Sequence, residues 1–116
     1  MKETEKKALA YLGFAVRAGR VAIGVPLVCE ALKMSRDGAK NAPMIVLEAA
    51  DTSNNTHKRV EDRTAHYRVP AVRLLIDSAA LATAVGKRGG AVGAVAVTDQ
   101  NLAKAIAVLY GISFTD

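Results

Sequence analysis

The sequence predicts an α/β fold in which a sheet lies between helical layers. Three observations lead there. Segments of helical apolar spacing alternate with short extended runs along the whole chain. One of those runs, Met44 to Leu47, is continuously apolar, the pattern of a strand covered on both faces. The chain has 116 residues, 51% of them hydrophobic and only 4% aromatic, so it holds one domain with an aliphatic core.

The first helix is set by Leu9, Leu12, Gly13 and Val16 at helical spacing, and Gly19 is its stop. Arg20 to Ile23 is a short strand. Gly24 then stands where a second helix begins, with Pro26 in the first turn, where a missing N–H costs nothing. Leu27, Val28, Ala31 and Leu32 are expected on one side of that helix, and Cys29 is expected to act as a small core hydrophobe. Asp37 to Pro43 is a turn before the second strand, Met44 to Leu47. Asp51 to Thr56 is dense in helix-capping residue types, and a polar third helix runs to Tyr67 with a thin apolar stripe through Val60 and Tyr67.

Pro70 breaks that helix, and Ala71 to Leu75 is the third strand. Asp77 or Ser78 caps a short alanine-rich helix through Val85. Gly86 to Gly90 is a basic loop. Val92 to Val97 is the fourth strand, and Thr98 or Asp99 caps a last helix whose Leu102, Ala103, Ile106, Leu109 and Tyr110 share a face. The tail around Asp116 is expected to fray.

The formal charge is +5, which favours an anionic partner. With one cysteine no intrachain disulfide forms. No apolar run is long enough to span a bilayer, and the charged start from Lys2 to Lys7 does not read as a signal peptide. A cytoplasmic protein is the expectation. The residues exclude more chemistry than they suggest. His57 and His66 lack metal-ligand spacing and read as surface histidines. The Gly86-Lys87-Arg88-Gly89-Gly90 loop lacks the spacing and the Ser or Thr of a nucleotide-hydrolysis loop. Glu48 and Asp51 are acids at a strand end, but no nucleophile–base pair accompanies them, so no enzyme, cofactor or metal is expected.

What the chain does offer is a helix start for an anion. Helix N-termini present N–H groups and partial positive charge, and Gly24 has no Cβ to keep a nucleic-acid backbone away. The same glycine also fits an ordinary tight turn. Arg17 and Arg20 supply charge nearby in sequence, as phosphate contacts or as solvated surface groups. Lys58, Arg59, Arg63 and Arg68 alternate with Glu61 and Asp62 and read as a solvated helix face. With two Phe and three Tyr there is no stacking platform for single strands, so an RNA partner would be read by shape.

These residues resemble a known family. Leu12-Gly13, Ala15, Arg17-Ala18-Gly19-Arg20 and Gly24 are similar to the opening motif of the YlxQ-like branch of the kink-turn-binding ribosomal protein superfamily (the L-seven-Ae and L-thirty-e group). The match continues in Ile45 to Thr56, Tyr67 to Pro70, Val85-Gly86-Lys87 and Ala94 to Gln100. The resemblance implies a three-layer α/β/α sandwich around a four-stranded mixed sheet, and a ribonucleoprotein role in translation with possible ribosome association. It also implies binding of a sharply bent RNA stem, the kink-turn, at the helix that Gly24 opens, with small apolar contacts from the approach to Val92–Val97. Typical members carry Asn and Glu where this chain has Pro26 and Leu27, and Lys where it has Glu30. The Gly86 to Gly93 stretch also runs longer than in relatives. The RNA-binding set expected from this reading is Gly24, Val25 and Pro26 for backbone approach, with Arg17, Arg20, Lys33, Arg36, Lys87 and Arg88 as surrounding charge. The alternative is a protein-interaction or dimerisation module of the same fold, with Val25 and Leu27 as its apolar contact.

Overall fold

In the computed structural model, residues 2–35 and 42–113 are described. The elements in order are α1 (Glu3–Arg17), β1 (Val21–Ile23), α2 (Val25–Met34), β2 (Ile45–Glu48), α3 (Asn54–His66), β3 (Ala71–Arg73), α4 (Ser78–Ala84), β4 (Ala94–Val97) and α5 (Gln100–Leu109). The expected turn after residue 36, and the tail at Asp116, fall largely or wholly outside the described residues.

The four strands form one mixed sheet in the order β1-β4-β2-β3. β4 is antiparallel to both β1 and β2, and β2 is parallel to β3. Alternation along β2 and β4 builds two cores on opposite faces. Ile45, Leu47, Val95 and Val97 join α1, α4 and α5 in one; Val46, Ala94 and Ala96 join Val28, Leu32 and Val60 of α2 and α3 in the other. The α/β/α layering expected from the sequence is present. Because Ala94 and Ala96 are small, α2 can pack directly over β4.

The helix ends follow local chemistry. Gly19 (φ +70°) ends α1 in the left-handed region. Ser53, Asp77 and Asp99 each accept the N–H three residues on, capping α3, α4 and α5. Two apolar assignments change. Val28, Cys29 and Leu32 form the buried side of α2, while Leu27 is 59% exposed. β3 ends at Arg73, short of Leu75, because Glu5 of α1 intervenes. Its buried carboxylate accepts from the N–H groups of Leu75 (3.0 Å) and Ile76 (2.8 Å), leaving the Leu75 side chain in solvent.

Candidate nucleic-acid interface

Strand direction decides which residues can meet. β1, β2 and β3 run the same way and β4 runs against them. The starts of α2, α3 and α4 and the entry to β4 therefore gather at the carboxyl end of the first three strands. This is the end at which α/β sheets commonly place ligands. Gly24 N–H donates to Ala94 O (2.8 Å), Ala49 N–H to Gly93 O (2.8 Å) and Ala50 N–H to Ile76 O (2.8 Å), tying the loops of that end together.

Gly24 is the N-cap of α2, at φ +97° and ψ 146°, a backbone that L side chains rarely adopt. Space around it is open: a Cβ built there would have only Pro26 Cδ within reach, at 4.0 Å. No acidic side chain lies in the first turn and no side chain caps it. Pro26 and Leu27 are exposed. Val25 packs the other way, against the entry to β4. A Cβ on Gly93 would stand 3.0 Å from Val25 Cγ2 and 3.4 Å from Thr52 Cγ2, so Gly93 is what lets three segments close up.

Beneath this seam lies a polar cluster. Glu48 ends β2 and is 3% exposed. Its carboxylate accepts from Thr52 Oγ1 and from His57 Nδ1, at 2.9 and 3.0 Å to its two oxygens. His57 Nε2 faces Glu61 Oε2 at 3.3 Å. Arg73 Nη2 donates to Ala50 O at 3.1 Å. Asp51 accepts from Ser78 N–H (2.8 Å) and Ser78 Oγ (3.1 Å), fastening the loop to α4. His57 is thus not a lone surface histidine but the partner of a buried acid. Glu48, expected only as an acid at a strand end, is held by side chains on both the loop and the helix that follow. Arg73 is a cation at this end that the sequence reading did not single out; its place at the close of β3 was the available signal.

The expected charges are not gathered round Gly24. Arg20 precedes β1, and its carbonyl accepts from Thr98 N–H at the far end of β4 (2.9 Å). Four strand steps put it about 13 Å from Gly24 along the chain. The Arg17 guanidinium lies over the Phe14 ring, 4.8 Å from its centre, at the same far end. Lys33 is in the last turn of α2, about 13 Å along the helix from Gly24. Lys87 and Arg88 are exposed after the C-terminus of α4, and the chain returns to the carboxyl end only at Val92, whose N–H meets Ser78 O (3.0 Å). Arg36 lies outside the described residues. Gly24, Val25 and Pro26 stand together; the five described cations do not stand with them.

Cys29 is buried, as expected of a core residue. Among the described residues no group of His, Cys, Asp and Glu has the arrangement of a metal site, and no helix is long and apolar enough to cross a membrane.

No protein-family model matches the chain. It is 39% identical over 92 residues to RNA-binding protein YlxQ of Bacillus subtilis, covering 79% of this chain and 83% of that protein. It is 33% identical over 99 residues to RNA-binding protein YlxQ of Enterococcus faecium, covering 85% and 86%. Its fold matches the structure of a protein of unknown function from Bacillus halodurans with a TM-score of 0.76 and 25% identity, over 90% of this chain and 97% of that one.

Proposed function

The chain belongs to the YlxQ family, and on that premise we propose that it is itself an RNA-binding protein that recognises a bent, kink-turn-like stem. The relatives carry the name of a binding protein and not of an enzyme. The observation that carries the reading is the open backbone at Gly24, where a Cβ would meet only Pro26 Cδ, at 4.0 Å, and where no side chain caps the first turn of α2. A phosphate can approach that turn and be met by the N–H groups of Val25 and Leu27 and by the helix dipole, Pro26 contributing no donor. The apolar seam of Val25, Gly93 and Thr52 lies beside it and suits the ribose or base surface that a bend exposes. A part in translation, in association with the ribosome, goes with this reading.

The test is a gel shift with a kink-turn stem and a straight stem of equal length across a salt series. A preference of tenfold or more for the bent stem, on the order of 1.4 kcal/mol, is expected. Affinity for the bent stem falls with salt by roughly 0.7–0.9 log units per phosphate contact per tenfold change. Equal binding to both stems would reject shape recognition.

A second reading rests on Leu27, which is 59% exposed at the start of α2 beside Pro26. It makes that turn a contact for another protein or a second copy of the chain. Leu27→Glu separates the two. Loss of concentration-dependent self-association in sedimentation, with native affinity for the bent stem, favours this reading. Loss of stem binding by a monomeric protein favours RNA.

A further inference from the structure

A second surface lies at the opposite end of the same helical layer. α2 and α3 both start at the carboxyl end of the sheet and so run side by side in the same direction. Where they end, Lys33 from α2 and Asp62, Arg63, His66 and Tyr67 from α3 and its cap line an open cleft of about 470 Å3. Tyr67 packs on the core under α2 and α3, and the His66 ring stands edge-on to it, 4.7 Å between centres and 88° between planes. Tyr67 is therefore held in place from below, while His66 is exposed beside it. Neither Lys33 nor Arg63 is joined to Asp62 or to another acid by an ion pair among the described residues. Cations in the last turns of two helices offset the helix dipoles, and that accounts for their sign. It does not account for two rings that line the same concave surface. Lys33 and Arg63 with the Tyr67 and His66 rings supply what a single nucleic-acid strand requires, charge for the phosphates and ring surface for the bases, with Asp62 the one acid in the lining.

We propose that this cleft binds single-stranded RNA that leaves the bent stem, as a second contact on the same partner. The proposal rests on the reading of Gly24 given above for the stem itself. The two sites share α2, one at each end and about 13 Å apart, so a strand leaving one can reach the other within a few nucleotides. It also gives Lys33 a role that its distance from Gly24 rules out at the first turn.

The test uses the full chain and three RNAs: a blunt kink-turn stem, the same stem with a short unpaired extension on either strand, and the unpaired oligonucleotide alone. The native protein is expected to bind one extended stem about 5- to 160-fold more tightly than the blunt stem, the range that one stacked base supplies. Lys33→Glu with Arg63→Glu, both at exposed positions, removes that gain and lowers the salt slope for the extended stem by roughly 0.7 per lost phosphate contact, while blunt-stem affinity changes less than about threefold. No gain from either extension, or a gain that survives the double charge reversal, overturns the proposal. Failure of the earlier reading shows separately, as equal binding of bent and straight stems. In that event the oligonucleotide decides: salt-sensitive binding abolished by the double variant supports the cleft, and absence of such binding refutes it.

Discussion

The Glu48–His57 contact makes the sharpest stability prediction, because one histidine faces two carboxylates of opposite exposure. Glu48 is buried in the sheet, its backbone paired with Ala94 on one side and Arg73 on the other. Removing His57 leaves the carboxylate with Thr52 as its remaining side-chain partner. A hydrogen bond to a buried charged group contributes about 1.5–3 kcal/mol. His57→Ala is therefore expected to cost about 2 kcal/mol, a fall in Tm of about 8 °C at roughly 4 °C per kcal/mol for a domain of this size. Glu61 is 68% exposed on its side chain, and a surface pair of this kind contributes about 0–1 kcal/mol. Glu61→Gln should lower Tm by no more than about 4 °C. Urea unfolding of the single variants and of Glu48→Gln with His57→Ala completes a cycle, with a coupling of at least about 1 kcal/mol expected for the buried pair. If Glu61→Gln cost as much as His57→Ala, or if the coupling were near zero, burial would not be what gives this contact its strength.

Two further changes test separate features. Gly93→Ala places a methyl 3.0 Å from Val25 Cγ2, and with no positive φ at Gly93 the effect is steric alone. A loss of about 1–3 kcal/mol in urea unfolding is expected, with weaker binding of the bent stem as the first turn of α2 shifts; full retention of both would refute the seam. Tyr110 concerns alkaline pH. Burial, and then the Glu5 carboxylate, hold its phenol above the ordinary value of 10.0. The folded state thus favours the protonated phenol, and this share of stability is complete below 10.0 and is lost as pH rises through the raised value. Its hydroxyl has no hydrogen-bond partner among the described residues, so Tyr110→Phe should leave neutral-pH stability unchanged or slightly higher and flatten the alkaline decline. An unchanged decline in the variant would show that another group causes it.

What was legible in the sequence was whatever a few neighbouring residues decide. The cap-rich stretch around Ser53, the pair Asp77–Ser78 and the pair Thr98–Asp99 marked helix starts to within a few residues, because a cap needs only the N–H three residues away; the structure selects Ser53, Asp77 and Asp99. Gly19 marked a stop and the apolar run before Glu48 marked a strand buried on both faces for the same local reason. The errors came where a distant residue decides. Leu75 has the composition of a strand, but Glu5, at the other end of the sequence, takes its N–H and that of Ile76. Glu48 and His57 meet only because β2 and the loop after it return α3 over the strand end, which no spacing rule announces. Arg17 and Arg20 lie close to Gly24 in sequence, yet an extended strand between two positions is what puts them at opposite ends of a sheet.

That separation bears on how the two proposed contacts divide the work. At the carboxyl end the chain offers shape more than charge. Pro26 and Leu27 are apolar and exposed, the Glu48 carboxylate is already engaged, and Arg73 is occupied with the carbonyl of Ala50. An RNA held there gains little from long-range attraction and must fit the open backbone at Gly24. At the opposite end Arg17, Arg20, Lys33 and Arg63 carry positive charge, and the cleft between α2 and α3 adds two rings. Electrostatic attraction acts over about 10 Å at ordinary salt, too far to be specific, whereas backbone approach is specific but short in range. On the proposed reading, preference for a bent stem therefore belongs to Gly24 and the seam at Gly93, and most of the salt dependence belongs to the far end. Changes at one end should alter selectivity at constant salt slope, and changes at the other should alter the slope at constant selectivity.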